Sequence, residues 1–581
     1  MKLLRYLRTY RKEAILAPLF KMLEATFELF VPLVVARMID VGIAQSDRGV
    51  LYRSVLILIL LCGVGFAASV TAQYFSAKAA AGFAKRVRHD LFENIQALSV
   101  GQIDRLGTSS LITRMTSDMN QVQQGVNLTL RLLLRSPFVV LGAMVMAFTI
   151  DVREAMIFAV AIPILSLVVF AIMRWCIPRY RSVQNELDGV TTLVRENLSG
   201  VRVIRAFRRE EAETAHFHQE NTALTALQEH VGRVSALMNP LTQLLLNLAV
   251  AVLIYTGAVR VQAGALSQGE VVALYNYMSQ ILIELVKFAN LILTITRAVA
   301  CANRIQAILE ETPDMADGTK MSWAHGEGDT PLVSFEHVYM RYPGAAEDAL
   351  EDIDFKADRG MRIGVIGGTG SGKSTLVHLI PRFYDGSAGT VRVDGQDVRE
   401  MSLSCLRDRI GIVPQRAVLF AGTIRDNLRW GAETATDEEM WDALEAAQAA
   451  EFVREKQGGL DYRIAQGGKN LSGGQRQRLT IARALVRKPD ILILDDASSA
   501  LDYATDLKLR RALQTIQPQT VTFLVSQRTS SLRGCDLILV LDDGRLVGKG
   551  RHEELLETCP VYREIHESQS GTAEEVRNDR K

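Results

Sequence analysis

Residues 54–77 carry no charged side chain, and neither do residues 234–259. Each stretch is long enough to cross a hydrocarbon core, which takes about 20 residues of helix. Inside lipid every backbone N–H and C=O must be satisfied within the segment, so runs of this kind form helices. Residues 155–173 are similar, interrupted by Pro163, while the uncharged run at 136–150 is shorter and borrows residues near Arg131 and Arg135. Two further stretches, 14–38 and 268–296, are apolar but hold ionisable residues. The pattern predicts six crossings.

Spacing orients them. Short connections join the first span to the second, the third to the fourth and the fifth to the sixth, and two long stretches, 78–126 and 174–233, separate the pairs. The first holds Lys85, Arg86, Arg88, Arg105 and Arg114; the second holds Arg179, Arg181, Arg195, Arg202, Arg205, Arg208 and Arg209. Basic residues favour the inner side, which places both stretches and the N-terminus in the cytosol. As helices they extend tens of ångströms past the bilayer, where a cytosolic body should dock on them. Lys2, Arg5, Arg8, Arg11 and Lys12, with Leu3, Leu4, Tyr6 and Leu7 between them, predict a basic amphipathic helix on the inner membrane surface. A signal peptide is set aside, because Lys21, Glu24 and Glu28 interrupt the following apolar stretch and no small-residue cleavage site follows.

Beyond residue 310 the chemistry changes. Residues 311–331, rich in Asp, Gly, Glu, Thr and Pro, read as a linker; 332–567 read as a soluble α/β domain, and the polar residues 568–581 as a disordered tail. The 581-residue chain is 48% apolar yet 23% charged, more charge than membrane helices alone carry. The fold class that follows is multidomain: an all-α six-helix transmembrane domain, 1–310, plus an α/β domain. Lys and Arg number 66 against 65 Asp and Glu, so charge offers no argument for nucleic acid as a partner. Cys62, Cys176, Cys301, Cys405, Cys535 and Cys559 lack metal-ligand spacing and read as reduced thiols of a cytosol-facing protein.

The soluble part holds Gly367-Gly368-Thr369-Gly370-Ser371-Gly372-Lys373-Ser374, after an apolar run at 362–366 and before the helix-like residues from Thr375 to Ile380. This is a P-loop in its strand-to-helix context: glycines let backbone amides approach phosphates, Lys373 reaches the β and γ groups, and Ser374 can ligate Mg²⁺. A second apolar run, 491–494, ends in Asp495 and Asp496 and brings carboxylates to the edge of a sheet where α/β ligands bind. Asp495 is the candidate magnesium partner. Together these make a nucleoside triphosphatase.

Leu471-Ser472-Gly473-Gly474-Gln475, ahead of the helix-like 476–486, decides the kind. With it the sequence resembles an ATP-binding cassette (ABC) transporter of the exporter type over essentially the whole chain, with ATP and Mg²⁺ as cofactors. The resemblance implies that Tyr342, in an RYPG stretch, stacks on adenine, and that Gln415, in VPQ, joins Ser374 and Asp495 at the metal and links the nucleotide to the membrane domain. It implies that Ser499-Ala500-Leu501-Asp502 is exchanged across a dimer, and that Thr375 belongs to the nucleotide set. A signature at a helix N-terminus closes over the γ-phosphate held by another subunit, so neither subunit alone completes a site. Segments near 99–105 and 200–205 are placed as the docking points of the cytosolic loops.

Two positions depart from the family pattern. A Glu follows the magnesium Asp in efficient members; here it is Asp496, whose carboxylate is withdrawn by more than about one ångström, and a misplacement of that size costs about 100-fold. The switch histidine is Gln527, which can hydrogen-bond to phosphate but cannot become a cation. His552 lies too far downstream to replace it, and Gln466 is a softer departure ahead of the signature. The pattern predicts one half of a heterodimeric exporter, with an impaired site of its own and an intact signature serving a partner that keeps the Glu and His. A self-sufficient homodimeric lipid or peptide exporter and an ATP-binding regulatory subunit stand as alternatives.

Substrate clues lie in the membrane part. Glu24 and Glu28 are spaced i, i+4 beside Lys21, and Glu284 and Lys287 are spaced i, i+3. Intramembrane ionisable residues face a cavity or pair with one another. If acidic groups face a cavity they favour cationic amphiphiles, as in multidrug export; otherwise they fix packing. Arg131 and Arg135 are placed near a membrane face. The expectation is a multi-pass protein of the bacterial inner membrane, its ATP-binding domain cytosolic, moving drug-like or lipid substrates outward.

Overall fold

A computed structural model of the chain describes residues 2–323, 330–497, 501–516 and 518–578. The chain divides into two compact units, 1–96 with 108–311, and 97–107 with 312–581.

The first unit is helical. After a short helical segment, Lys2–Tyr10, with Leu3 and Tyr6 buried, come α1 (Arg11–Arg37) and α2 (Arg48–Ala97). After α3 (Val100–Leu106), which belongs to the second unit, there follow α4 (Met119–Leu132), α5 (Arg135–Ile150), α6 (Val152–Ser199), α7 (Val201–Ala206), α8 (Glu210–Ala236), α9 (Met238–Gln262) and α10 (Gln268–Leu309). The starts of the long helices are encoded locally. Asp151 accepts from the amides of Arg153 and Glu154 at 2.8 and 3.0 Å, and Ser267 with Glu270 forms a reciprocal cap on α10. Gly269 lets that cap come close: a Cβ there would lie 2.3 Å from the Ala36 carbonyl oxygen, and its amide donates to Asp40 at 2.7 Å.

Among the described residues, five helices are long and apolar enough to cross a membrane: Arg48–Ala97, Thr108–Ile150, Val152–Ser199, Glu210–Gln262 and Gln268–Leu309. The sixth predicted span, α1, has the length, 27 residues, or about 40 Å. Lys21, Glu24 and Glu28 dilute its apolar character. The structure gives those charges partners. Lys21 Nζ lies 2.5 Å from Glu24 and donates to Ser69 at 3.1 Å.

Glu28 belongs to a larger network that corrects the placement of Arg135. Arg135 is buried, with Nη1 2.5 Å from Glu284 and Nη2 2.6 Å from Glu28, while Glu284 also accepts from Ser136 at 2.9 Å and Lys287 at 2.9 Å. The network ties α1, α5 and α10 together. A guanidinium this desolvated needs carboxylates on both sides, which the helix packing supplies.

The second unit is an α/β domain. The strands of its main sheet are β1 (Val333–Met340), β2 (Leu350–Ala357), β3 (Arg362–Gly367), β4 (Ala388–Val393), β5 (Gln396–Asp397), β6 (Ile410–Val413), β7 (Ile491–Asp495), β8 (Val521–Val525), β9 (Leu537–Asp542) and β10 (Arg545–Gly550). Among the described residues these ten form one sheet in the order β5-β4-β1-β2-β10-β9-β3-β8-β7-β6. Its centre is parallel, β9 to β3, β3 to β8, β8 to β7 and β7 to β6. All five residues of β7 are buried, as in a strand covered on both faces.

Helices that matter below are α3 (Val100–Leu106), α11 (Lys373–Leu379), α12 (Gly473–Leu485), α13 (His552–Thr558) and α14 (Pro560–Asn578). Two predicted boundaries shift. Residues 312–323 are held on this domain: the Lys320 amide donates to the Glu400 carbonyl at 3.0 Å and Trp323 Nε1 to that of Cys405 at 2.9 Å. At the other end the helix runs to Asn578, past residue 568 where polar composition predicted disorder, and Gln569 donates to the Gln527 carbonyl of the domain at 2.8 Å.

Candidate functional site

Three parallel strands end side by side: β3 at Gly367, β8 at Val525 and β7 at Asp495. Their loops therefore leave on one side, the edge at which α/β sheets bind ligands. A cavity of about 280 Å³ opens there. The P-loop and its helix line it with Thr369, Gly370, Gly372, Lys373, Ser374 and Thr375; β7 and β8 contribute Asp495, Asp496 and Gln527, and Tyr342 and Gln415 complete the predicted residues on its wall.

The loop's shape follows from its glycines. Gly372 has φ +92°, and a Cβ there would lie 2.6 Å from the Ala349 carbonyl oxygen, a position only glycine fills without strain. Lys373 folds back over the loop, its Nζ 3.1 Å from the carbonyl of Gly367, 2.5 Å from that of Gly368 and 3.4 Å from Ser371 Oγ. Gly367, Gly368 and Ser371 thus stand behind the cavity and shape it. Burial lowers the Lys373 pKa, against the opposing pull of Asp495 and Asp496.

Ser374 Oγ donates to Asp495 at 3.0 Å. Burial raises the Asp495 pKa, opposed first by that hydrogen bond. One contact here was missed in the sequence: His378 Nε2 lies 3.7 Å from Asp495. Burial holds the His378 pKa below its ordinary value, so the imidazole faces the carboxylate as a neutral group at neutral pH rather than as an ion-pair partner. Its i, i+4 spacing from Ser374 was the available signal. Ala349, Val525 and Ser526 also line the cavity and were not foreseen.

Asp496 adopts φ +48° and its amide donates to the Val525 carbonyl at 3.2 Å. Asp enters this left-handed region more readily than most residues. Tyr342 meets Thr375 through its hydroxyl at 3.0 Å and packs edge-on against Tyr384, ring centroids 5.2 Å apart. Tyr384 in turn donates to Asp104 of α3 at 2.9 Å, and the Gln102 side chain donates to the Thr312 carbonyl at 2.8 Å. The predicted docking segment 99–105 is therefore part of the ATPase unit itself. The other, 200–205, falls on α7, where no residue is buried and where neighbouring Phe207 is 75% exposed.

The remaining predicted residues lie elsewhere. None of Leu471, Ser472, Gly473, Gly474 and Gln475 lines the cavity. Ser472 caps α12: its Oγ accepts from the Gln475 amide at 3.2 Å and Gln475 Oε1 accepts from the Ser472 amide at 3.0 Å. Asp502 caps the next helix by accepting from the Thr505 amide at 2.9 Å, and hydrogen bonds to Thr505 hold its pKa below the usual carboxylate value. Ser499 and Ala500 lie outside the described residues. Gln466 is exposed, and His552 is buried against Tyr562 at 2.7 Å.

Residues 14–285 match the family model for the ABC transporter transmembrane region, and residues 350–499 match that for ABC transporter. An uncharacterized ABC transporter ATP-binding protein of Mycobacterium tuberculosis is 38% identical over 572 residues, covering 98% of each chain. The ATP-dependent lipid A-core flippase of Escherichia coli is 29% identical over 563 residues, covering 97% of this chain and 96% of that protein. The solved structure of a bacterial Atm1-family ABC exporter with ATP bound shares the fold, with a TM-score of 0.78 at 23% identity over 96% of this chain and 97% of that one.

Proposed function

Because the chain belongs to the ABC transporter family, as an ATP-driven exporter half that fuses membrane region and ATPase domain, we propose that it works beside a second, non-identical half. The observation that carries this reading is the content of one cavity. Lys373, Ser374 and Asp495 stand in it with Asp496 and Gln527, while the signature stands outside it. One chain thus presents a phosphate-binding half-site whose catalytic carboxylate is short and whose switch residue cannot titrate. Its signature, capped by Ser472 at the start of a 13-residue helix, is intact and suits a partner's γ-phosphate.

In this reading Lys373 and the loop amides hold the phosphates, Tyr342 stacks the adenine, and Gln415 and Gln527, which line the same cavity, meet the metal and the terminal phosphate. Ser374 and Asp495 are hard oxygen donors 3.0 Å apart and fit Mg²⁺, which when bound neutralises phosphate charge. The exposed apolar residues Val203 and Phe207 by α7 suit docking on a partner's ATPase domain.

The substrate class we assign is amphipathic, drug-like or lipid. Pairing of Glu28 and Glu284 with Arg135 removes the acidic surface that would select cations. An apolar groove of about 780 Å³ between α6 and α10, lined by Leu167, Phe170, Leu285 and Ile292 with Arg174 as its one charged residue, suits an acyl or aromatic chain. Similarity to the lipid A-core flippase favours a second reading, a self-sufficient homodimeric lipid exporter.

ATPase rates of the purified chain, alone and with its partner, separate the two. The unmodified chain alone is expected to be slow, and Asp496→Glu with Gln527→His to accelerate it about 100-fold. A full exporter rate from the unmodified chain would refute the impaired site and leave the homodimer.

A further inference from the structure

The C-terminal helix reaches the loop that carries Gln527. Tyr562, His566 and Gln569 recur at i, i+4 and i+7 on α14, which puts them on one helix face. Tyr562 is fully buried and its hydroxyl meets His552 Nδ1 at 2.7 Å, which anchors that face in the domain core. One turn on, His566 Nδ1 lies 3.0 Å from the hydroxyl of buried Thr529. Gln569 completes the contact: its Nε2 donates to the main-chain carbonyl of Gln527 at 2.8 Å, and its Oε1 accepts from the Thr529 amide at 3.0 Å and the Thr529 hydroxyl at 3.1 Å.

A carboxamide carries a donor and an acceptor side by side. The two main-chain groups it meets here are one acceptor and one donor, so it can grip the loop in one orientation only. The residue held by its carbonyl is one of those that line the nucleotide cavity. Holding that carbonyl restrains the backbone of Gln527 and so the point from which its side chain departs.

We infer that Gln569 is a positioning residue of the nucleotide site, clamping the loop at 526–529 so that Gln527 is presented to the terminal phosphate of ATP. The inference rests on the reading that Gln527 meets that phosphate. It gives the polar C-terminal segment a role in distinguishing ATP from ADP, since only ATP carries the group that Gln527 reaches.

Gln569→Glu isolates the clamp. The carboxylate keeps an acceptor for Thr529 but replaces the donor to Gln527 with a negative oxygen facing a carbonyl. The test uses the full chain in lipid nanodiscs, with the non-hydrolysable analogue AMP-PNP and ADP each displacing a fluorescent nucleotide. Gln569→Glu and Gln569→Ala are expected to weaken AMP-PNP binding about tenfold and leave ADP binding unchanged. Hydrogen exchange should quicken in the peptide spanning 526–532. In a Gln527→Ala background, Gln569→Glu should change AMP-PNP affinity no further, because the side chain it positions is gone.

Equal loss of AMP-PNP and ADP binding, or an effect that persists undiminished in Gln527→Ala, would make Gln569 merely structural and overturn the clamp alone. If Gln527→Ala itself leaves the preference for AMP-PNP over ADP untouched, the role of Gln527 falls, and the clamp with it.

Discussion

Replacing Arg135 with Met tests whether the buried ion network holds the membrane unit together. The side chain of Arg135 is 7% exposed and that of Glu284 is 4%, whereas that of Glu28 is 42% exposed. Breaking a buried pair by removing one partner costs about 3–5 kcal/mol, because the remaining charge is stranded. An ion pair with a half-exposed carboxylate such as Glu28 is worth at most about 1 kcal/mol. Glu284 keeps Ser136 and Lys287, the latter 47% exposed, so the lower end of the buried range applies. Arg135→Met should therefore destabilise by about 3 kcal/mol. In a unit of about 300 residues that corresponds to a fall of roughly 5 °C in the thermal midpoint. Glu28→Gln should lower it by about a third as much or less. Arg135→Met combined with Glu284→Leu should recover most of the loss, since the stranded carboxylate is gone and apolar surface replaces it. Thermal unfolding of the full chain in detergent measures all four proteins. Equal midpoints for Arg135→Met and Glu28→Gln, or a double variant no better than the single one, would refute the assignment of the energy to the Arg135–Glu284 pair.

Two further outcomes follow from the ATPase unit. Burial, and then the neighbouring Arg533 guanidinium, hold the His552 pKa below its ordinary value. The unfolded chain therefore binds a proton that the folded chain refuses, and the stability from neutral His552 is present above about pH 7 and lost as pH falls through its depressed value; His552→Asn should flatten the drop in melting temperature between about pH 7 and 5. Tyr384→Phe removes the hydroxyl that donates to Asp104. A partly exposed hydrogen bond to a charge is worth about 1 kcal/mol, so hydrogen exchange in the 97–107 segment should quicken about fivefold with the global melting temperature little changed.

The P-loop residues were legible because their chemistry is local: a strand, a glycine turn and a helix in sequence suffice to bring Lys373 and Ser374 to a sheet edge. Asp495 was legible for the same reason, closing an apolar strand of parallel pattern, whereas Gln527 was legible only through the family resemblance, as the position of the switch histidine. His378 was not, because its partner comes from another strand. The segment at 99–105 could be marked for docking by position, yet its inclusion in the ATPase unit depends on Tyr384 and Thr312, far away in the chain. Gln569 sat in a stretch whose polarity suggested no structure, and its partners are main-chain groups that composition does not reveal.

Charge-free runs, basic connections and the nucleotide motifs, read from the sequence alone, thus determined a helical membrane domain joined to an ATPase domain, since length, charge and short-range spacing act through the chain's own periodicity. Which membrane-domain charges neutralise one another, as Arg135 does with Glu28 and Glu284, and which helix reaches the loop of Gln527 were decided only by tertiary structure. Desolvation makes those pairings obligatory, and only the packing of distant elements determines which groups come within reach.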